Sequence, residues 1–225
     1  HKIGKINNVG LLNIKNFEKN FSFNISEYRD IWYSTSKDFD KIQTKSNKGV
    51  ERFNNYKNQP LNYIFPNDFS GNTETNFEKN KINAAVIREK GSNSEREMAY
   101  MMSIAGFNVK DIHMTDIISG KEDLKDIQLL VAVGGFSNSD VLGSAKGWAG
   151  SFIHNPEAKN AITGFFERND TISLGVCNGC QLFIELGLIN KEHSVKPKMK
   201  YNDSNKFECV FSLSLIHISE PTRPT

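Results

Sequence analysis

The hydrophobic positions of this chain change texture near residue 82. Before that point, apolar residues are scattered among Asn and Lys with weak periodicity. After it they gather into short runs separated by stretches with helical spacing. Lys2–Ile14 has short β-like runs broken at Asn7-Asn8 and Gly10, which predicts a hairpin. Tyr28–Tyr33 and Lys48–Tyr56 read as helices, the second ending before Gln59-Pro60. Phe65–Lys81 is polar and turn-rich and reads as a linker. This first part does not look able to bury a core of its own. Phe21, Phe23, Ile31, Trp32 and Tyr33 are therefore expected to be exposed apolar groups.

From Asn83 onward the order is regular. Ala84–Ile87 is a short apolar run, as expected of a buried strand. Ser94-Glu95-Arg96-Glu97 has capping-box spacing and opens a helix through Met98, Met101 and Ala105 to a stop at Gly106. Phe107–Met114 and Asp126–Val133 read as the second and third strands, the latter ending in Gly134-Gly135. Helices are expected over Val141–Phe152 and Pro156–Arg168, with Pro156 in first-turn position. In the first of them, Val141, Leu142, Ala145, Trp148 and Ala149 form a core-facing stripe. Thr171–Val176 is the fourth strand and Asn178–Leu186 its helix, closed by Gly187. Strands alternating with helices predict an α/β domain with a mainly parallel sheet, whose chemistry lies beyond the C-terminal ends of the strands.

Composition narrows the function classes. The chain has 225 residues, enough for one substantial domain plus an appendage. Lys+Arg 28 against Asp+Glu 26 leaves a formal net charge of +2, with the charges interspersed, so no nucleic-acid partner is expected. The apolar runs are strand-length and too short to span a membrane. No charged-then-apolar leader opens the chain, so no secretory signal is expected. Three cysteines, all late in the chain, do not suit a disulfide framework and fit a reducing cytoplasm better.

The candidate chemistry sits at Gly175-Val176-Cys177-Asn178-Gly179. A thiol flanked by glycines two residues away, between a strand and a helix, matches the sharp turn that holds a nucleophile exposed. At the helix N-terminus the dipole and the free N–H groups favour the thiolate. Free cysteines are ordinarily buried packing residues, but glycines at a strand-to-helix corner argue for the reactive reading. Gly134-Gly135-Phe136-Ser137 ends the neighbouring strand and offers backbone N–H groups to an oxyanion, with the N–H of Asn178 as a second donor. Cys177 with Cys180 also fits a Cys-x-x-Cys redox pair, although Cys180 is expected on the inner helix face. Zinc would need two more ligands, and only Cys209 and His193 are at hand without regular spacing. No metal site is expected. His113 and His154 are bases by type, and lone histidines are usually structural.

These motifs together carry a resemblance. Arg88-Glu89-x-Gly91-x-Asn93-Ser94-x-x-Glu97-Met98-Ala99, Val133–Ser137, Asp140–Gly143, Gly147–Ala149 and Gly175–Gln181 resemble the flavodoxin-like class I glutamine amidotransferase domain of the phosphoribosylformylglycinamidine synthase family. Asn202–Ser204 with Phe207-Glu208 continues the likeness, whereas position 210 is Val where that pattern has Arg. The resemblance implies a glutaminase that releases ammonia from glutamine through a thioester on Cys177. Gly134, Gly135, Phe136, Asn178 and Gln181 would contact glutamine or its oxyanion. Ammonia would pass to a synthetase site, absent from this chain, where ATP and Mg activate formylglycinamide ribonucleotide in purine (IMP) biosynthesis. No cofactor is expected in the chain itself. Residues 1–33 would be the tail of the synthetase domain, which with 34–82, a helical connector and linker, makes a small β-hairpin/helical remnant. Residues 83–211 would be the glutaminase.

By the same resemblance the base histidine and its acid follow the strands after Phe211, so the chain as written is expected to lack both and to be an inactive fragment. Residues 212–225 do not continue the pattern and resemble translated adapter sequence, so His217 and Glu220 are assigned no role. Other readings stay open at this level. One is a stand-alone flavodoxin-like cysteine hydrolase with His154 as base; another is a non-catalytic α/β binding domain with a structural cysteine.

Overall fold

A computed structural model describes residues 3–56, 58, 67–68, 70–71 and 82–208. The turn-rich stretch expected to be a linker lies almost wholly outside the described residues, as do Cys209 and everything after it. The described residues fall into two compact units, one of residues up to 68 together with 201–208, the other from 70 to 200.

In the first unit, β1 (Leu11–Asn16) and β2 (Lys19–Asn24) form an antiparallel hairpin that pairs Leu12 with Phe23 and Ile14 with Phe21. The hairpin thus lies C-terminal to its expected place at Lys2–Ile14. Asn7, Asn8 and Gly10 break the chain before β1, and the alternating Phe21 and Phe23 supply its partner strand. Asn24 caps α1 (Ile25–Gln43), its side chain accepting from the Glu27 N–H. This helix is longer than the expected Tyr28–Tyr33 and runs unbroken past residue 33. α2 (Lys48–Asn55) crosses α1 closely, since a Cβ on Gly49 would lie 2.5 Å from Asp40 Cβ.

Charge binds the two helices. Arg52 and Lys206 both pair with Asp40, and Arg52 reaches Glu208 at 2.7 Å. The hydrogen-bonded Lys206 ammonium, with Arg52 beside it, holds the Asp40 carboxyl below its ordinary pKa. Neither strand and no part of α1 has a buried residue, and Ile31 and Trp32 are exposed, as the composition foretold.

The second unit is a doubly wound domain. In order come β3 (Asn83–Arg88), β4 (Ser92–Asn93), α3 (Glu95–Ile104), β5 (Asn108–His113), α4 (Met114–Ile118), β6 (Leu129–Ala132), β7 (Gly134–Gly135), α5 (Lys146–Ile153), α6 (Pro156–Glu167), β8 (Ile172–Gly175) and α7 (Asn178–Glu185). Strands β5-β3-β6-β8 form one parallel sheet in that order. Side chains alternate across it. Ala84 and Val86 meet Met102 and Met98 of α3 on one face, while Ala85 and Ile87 join Trp148, Phe152, Phe165 and Leu182 on the other. The α/β expectation holds. Strand order reverses between β3 and β6, and in open sheets of this kind the crevice for ligands lies at the carboxyl ends of those strands.

Several local expectations give way. Ser94 is not a capping-box residue: it takes φ +72, its hydroxyl caps nothing, and its N–H bonds to Asn93 Oδ1. The cause is the short β4–β7 ladder, pairing Ser92 with Gly135, which turns the chain back immediately before α3. The strand expected to reach Met114 ends at His113, where α4 begins. The helix expected from Val141 starts only at Lys146. Asn138, Ser139, Asp140, Ser144 and Ala145 all take positive φ, which no α-helix accommodates. Val141 and Leu142 are accordingly exposed rather than in the core stripe, which keeps Ala145, Trp148 and Ala149.

Candidate active site

The elbow is built by close backbone approach. β8 ends at Gly175, and the Val176 N–H still bonds to the Ala132 carbonyl at 3.0 Å. The chain then turns at Cys177 with φ 53 and ψ −109, a conformation outside the regions open to ordinary side chains, and enters α7 at Asn178. Both flanking glycines are required. A Cβ on Gly175 would lie 2.8 Å from the backbone of Cys180, and one on Gly179 would lie 2.0 Å from the Ala132 carbonyl oxygen. The result is a thiol that is exposed, not packed in the core, with Cys180 half-buried one turn on. Both thiols are free.

The second corner stands beside the first. A Cβ on Gly134 would be 3.3 Å from Cys177 Cβ, so the Gly-Gly turn and the elbow share one end of the sheet. Gly135 takes φ +102 and sits against Asn93 and Gly91. The next residues are tied down: the Phe136 N–H bonds to Gly91 O at 2.8 Å and the Asn138 N–H to Lys90 O at 2.9 Å. The Phe136 ring is largely exposed. Asn178 is buried, and its side chain accepts from the Ser137 N–H at 3.2 Å while donating to Gln181 Oε1 at 2.9 Å. As the first residue of α7, Asn178 has a backbone N–H that the helix leaves without an intrahelical partner.

Beside this corner lies a depression of about 210 Å³ lined by Ser137, Asn138, Asp140, Val141, Leu142 and the glycines 143 and 147. Ser137 Oγ, Asn138 Nδ2 and Asp140 Oδ1 are buried there without a protein partner. The site therefore gathers Cys177, Gly134, Gly135, Asn178 and Gln181, with Phe136 at its edge. The orphaned polar groups after Phe136 had no signal in the sequence, because the backbone reversals that bury them fall on non-glycine residues.

The histidines go elsewhere. His113 caps α4, its Nδ1 accepting from the Thr115 N–H at 3.2 Å. His154 is exposed just past the C-terminal end of α5, about 12 Å along the helix from its first residue Lys146 at 1.5 Å per residue. His193 is occupied with Val195 in a local turn. Among the described residues, no group of three or more His, Cys, Asp or Glu side chains is arranged to hold a metal, and no helix is long and apolar enough to cross a membrane.

A parallel sheet wound by helices on both faces, with an exposed cysteine forced out at a strand-to-helix elbow beside a Gly-Gly corner, defines an α/β domain that presents a free thiol at the carboxyl end of its sheet. The chain belongs to the family of CobB/CobQ-like glutamine amidotransferase domains, which it matches over residues 81–223. It is 36% identical over 222 residues to a probable phosphoribosylformylglycinamidine synthase, chloroplastic/mitochondrial, of Arabidopsis thaliana, covering 93% of this chain but only 16% of that relative. It also has 28% identity to the solved PurLQS structure from Thermotoga maritima, over 49% of this chain and 46% of that one, with a TM-score of 0.40.

Proposed function

We propose that this domain is the glutaminase part of an ATP-dependent phosphoribosylformylglycinamidine synthase. The observation that carries the reading is the placement of Cys177 at a strained elbow, with Gly134 close enough that its Cβ would touch that of the cysteine. In the proposed reaction the Cys177 thiolate attacks the side-chain amide carbon of glutamine, forming the S–C bond. The carbonyl oxygen becomes an oxyanion that takes hydrogen bonds from the N–H groups of Asn178 and Gly135. Collapse breaks the C–N bond, and ammonia leaves with the proton the thiol gave up. Water then attacks the thioester, releasing glutamate and restoring the thiol.

Gly134 lets the substrate approach, Gln181 contacts glutamine, and Phe136 borders the entrance. Because the Phe136 N–H is already given to Gly91, the oxyanion role passes to Gly135 and Asn178. The base and its acid belong to sequence that follows Phe211. Residues 1–33 and 34–82 are read as synthetase tail and connector, and ATP, Mg and formylglycinamide ribonucleotide as ligands of the synthetase part. The chemistry needs a reduced thiol and hence a reducing compartment.

A glutamine-shaped diazo ketone, 6-diazo-5-oxo-norleucine, tests the reading. Intact-mass analysis should find one adduct, on Cys177, suppressed by excess glutamine and absent from Cys177→Ala. Labelling that ignores glutamine, or that lands on Cys180, would overturn it.

A further inference from the structure

Asn178 touches both corners through one side chain, and the direction of its two hydrogen bonds is informative. Its amide oxygen accepts from the Ser137 N–H, which can only donate. That bond fixes which way the Asn178 amide faces, and its nitrogen is then turned toward Gln181. The partner there must be an acceptor, and it is Gln181 Oε1 at 2.9 Å. The Gln181 oxygen is thereby engaged on the protein side, and its two N–H donors are the part left to meet a ligand. Asn178 is only 2% exposed, so water does not compete for these bonds and a wrong pairing would carry the full cost of a buried unsatisfied group.

We infer that Asn178 is a positioning residue that sets the polarity of Gln181, locking it donor-outward so that a ligand held at Cys177 is selected for presenting an acceptor to it. A relay of this kind starts at a backbone N–H of the Gly-Gly corner and ends at a side chain one helical turn past the nucleophile. The nucleophile helix and the corner are thus held in one register by the same amide. The inference rests on the glutaminase reading given above.

Asn178→Asp separates polarity from packing. The aspartate has the same shape and still accepts from the Ser137 N–H, but it has no donor for Gln181 Oε1. Gln181 then turns its NH2 inward to the carboxylate and presents oxygen outward. In the full chain, the rate of Cys177 labelling by 6-diazo-5-oxo-norleucine is compared with its rate of alkylation by iodoacetamide, which needs no recognition. The ratio of the two rates should fall about tenfold in Asn178→Asp, the loss expected for one hydrogen bond replaced by a mismatch.

Hydrogen exchange supplies the control. The Ser137 amide should stay protected in Asn178→Asp and lose protection in Asn178→Leu, which removes both bonds. In a Gln181→Leu background, Asn178→Asp should leave the ratio where Gln181→Leu alone put it. An unchanged ratio in Asn178→Asp overturns the inference, as does a fall accompanied by loss of Ser137 protection. A further drop in the Gln181→Leu background overturns it too. If the unaltered chain itself shows no preference for the glutamine-shaped reagent, the glutaminase reading fails and takes this inference with it.

Discussion

Gly179 presses on the carbonyl oxygen of Ala132 so closely that a Cβ at 179 would lie 2.0 Å away. This contact docks the first turn of α7 onto the end of β6, and the elbow depends on it. Gly179→Ala cannot be absorbed by a side chain swinging aside, because the obstacle is backbone. We expect a loss of about 1–3 kcal/mol, as for overpacking in a close-packed interior, or a displaced α7. Thermal melting combined with the rate of Cys177 alkylation checks this. A variant with unaltered melting and unaltered thiol reactivity would show the contact to be slack.

Gly164 makes the opposite case. It lies inside α6, exposed, with nothing within 4 Å of where its Cβ would stand. Its only effect is the backbone freedom it gives the unfolded chain. Gly164→Ala should therefore stabilise the protein by about 0.5–1 kcal/mol, read as an upward shift in melting temperature with thiol reactivity unchanged.

The two glycines also show what the sequence could disclose. The alternation of Ala84–Ile87, the apolar run into Gly134-Gly135 and the Gly-x-Cys-x-Gly turn are local signals, and each lands on the element it announces. What stayed hidden is set by distant partners. Ser94 loses its cap because β4 pairs with Gly134-Gly135. The helix announced at Val141 waits until Lys146 because the intervening loop must reverse several times, with the Asn138 N–H tied to Lys90. Helix propensity there yields to tertiary constraint. The bond from Asn178 to Ser137 spans 41 positions, and no periodicity announces such a pair.

Acid should loosen the first unit. Asp40 is held below its ordinary pKa by the Lys206 ammonium and by Arg52, and Glu208 by the Ser204 hydroxyl and by Arg52. A carboxyl with a depressed folded-state pKa contributes stability above its unfolded value, near about 4, and loses it as pH falls toward the folded value. Melting followed from about pH 6 to about pH 3 should show a decline that sets in within the ordinary carboxylate range and continues below it. Asp40→Asn should lower stability at neutral pH and flatten that decline. If the variant keeps the full acid slope, the pairing of α1, α2 and Lys206 is not its source.

Gly134 offers a way to impair chemistry while sparing the fold. Its φ is not in the left-handed region, so alanine is sterically allowed on the backbone itself. The new methyl would come within 3.3 Å of Cys177 Cβ and 3.7 Å of Val176 O, a contact that a shift of a few tenths of an ångström relieves. The cost in stability should then be small, about 1 kcal/mol or less. The same shift moves Cys177 relative to the corner proposed to receive the oxyanion. Catalysis depends on that geometry far more steeply than folding does, and a misplacement of about 1 Å can cost about a hundredfold. We therefore expect Gly134→Ala to melt close to the unaltered protein while reacting at least about tenfold more slowly with 6-diazo-5-oxo-norleucine. Iodoacetamide, which uses no oxyanion site, should be affected much less. Equal slowing of both reagents would mean that the methyl merely shields the sulfur, and no slowing at all would separate the Gly-Gly corner from the reaction at Cys177.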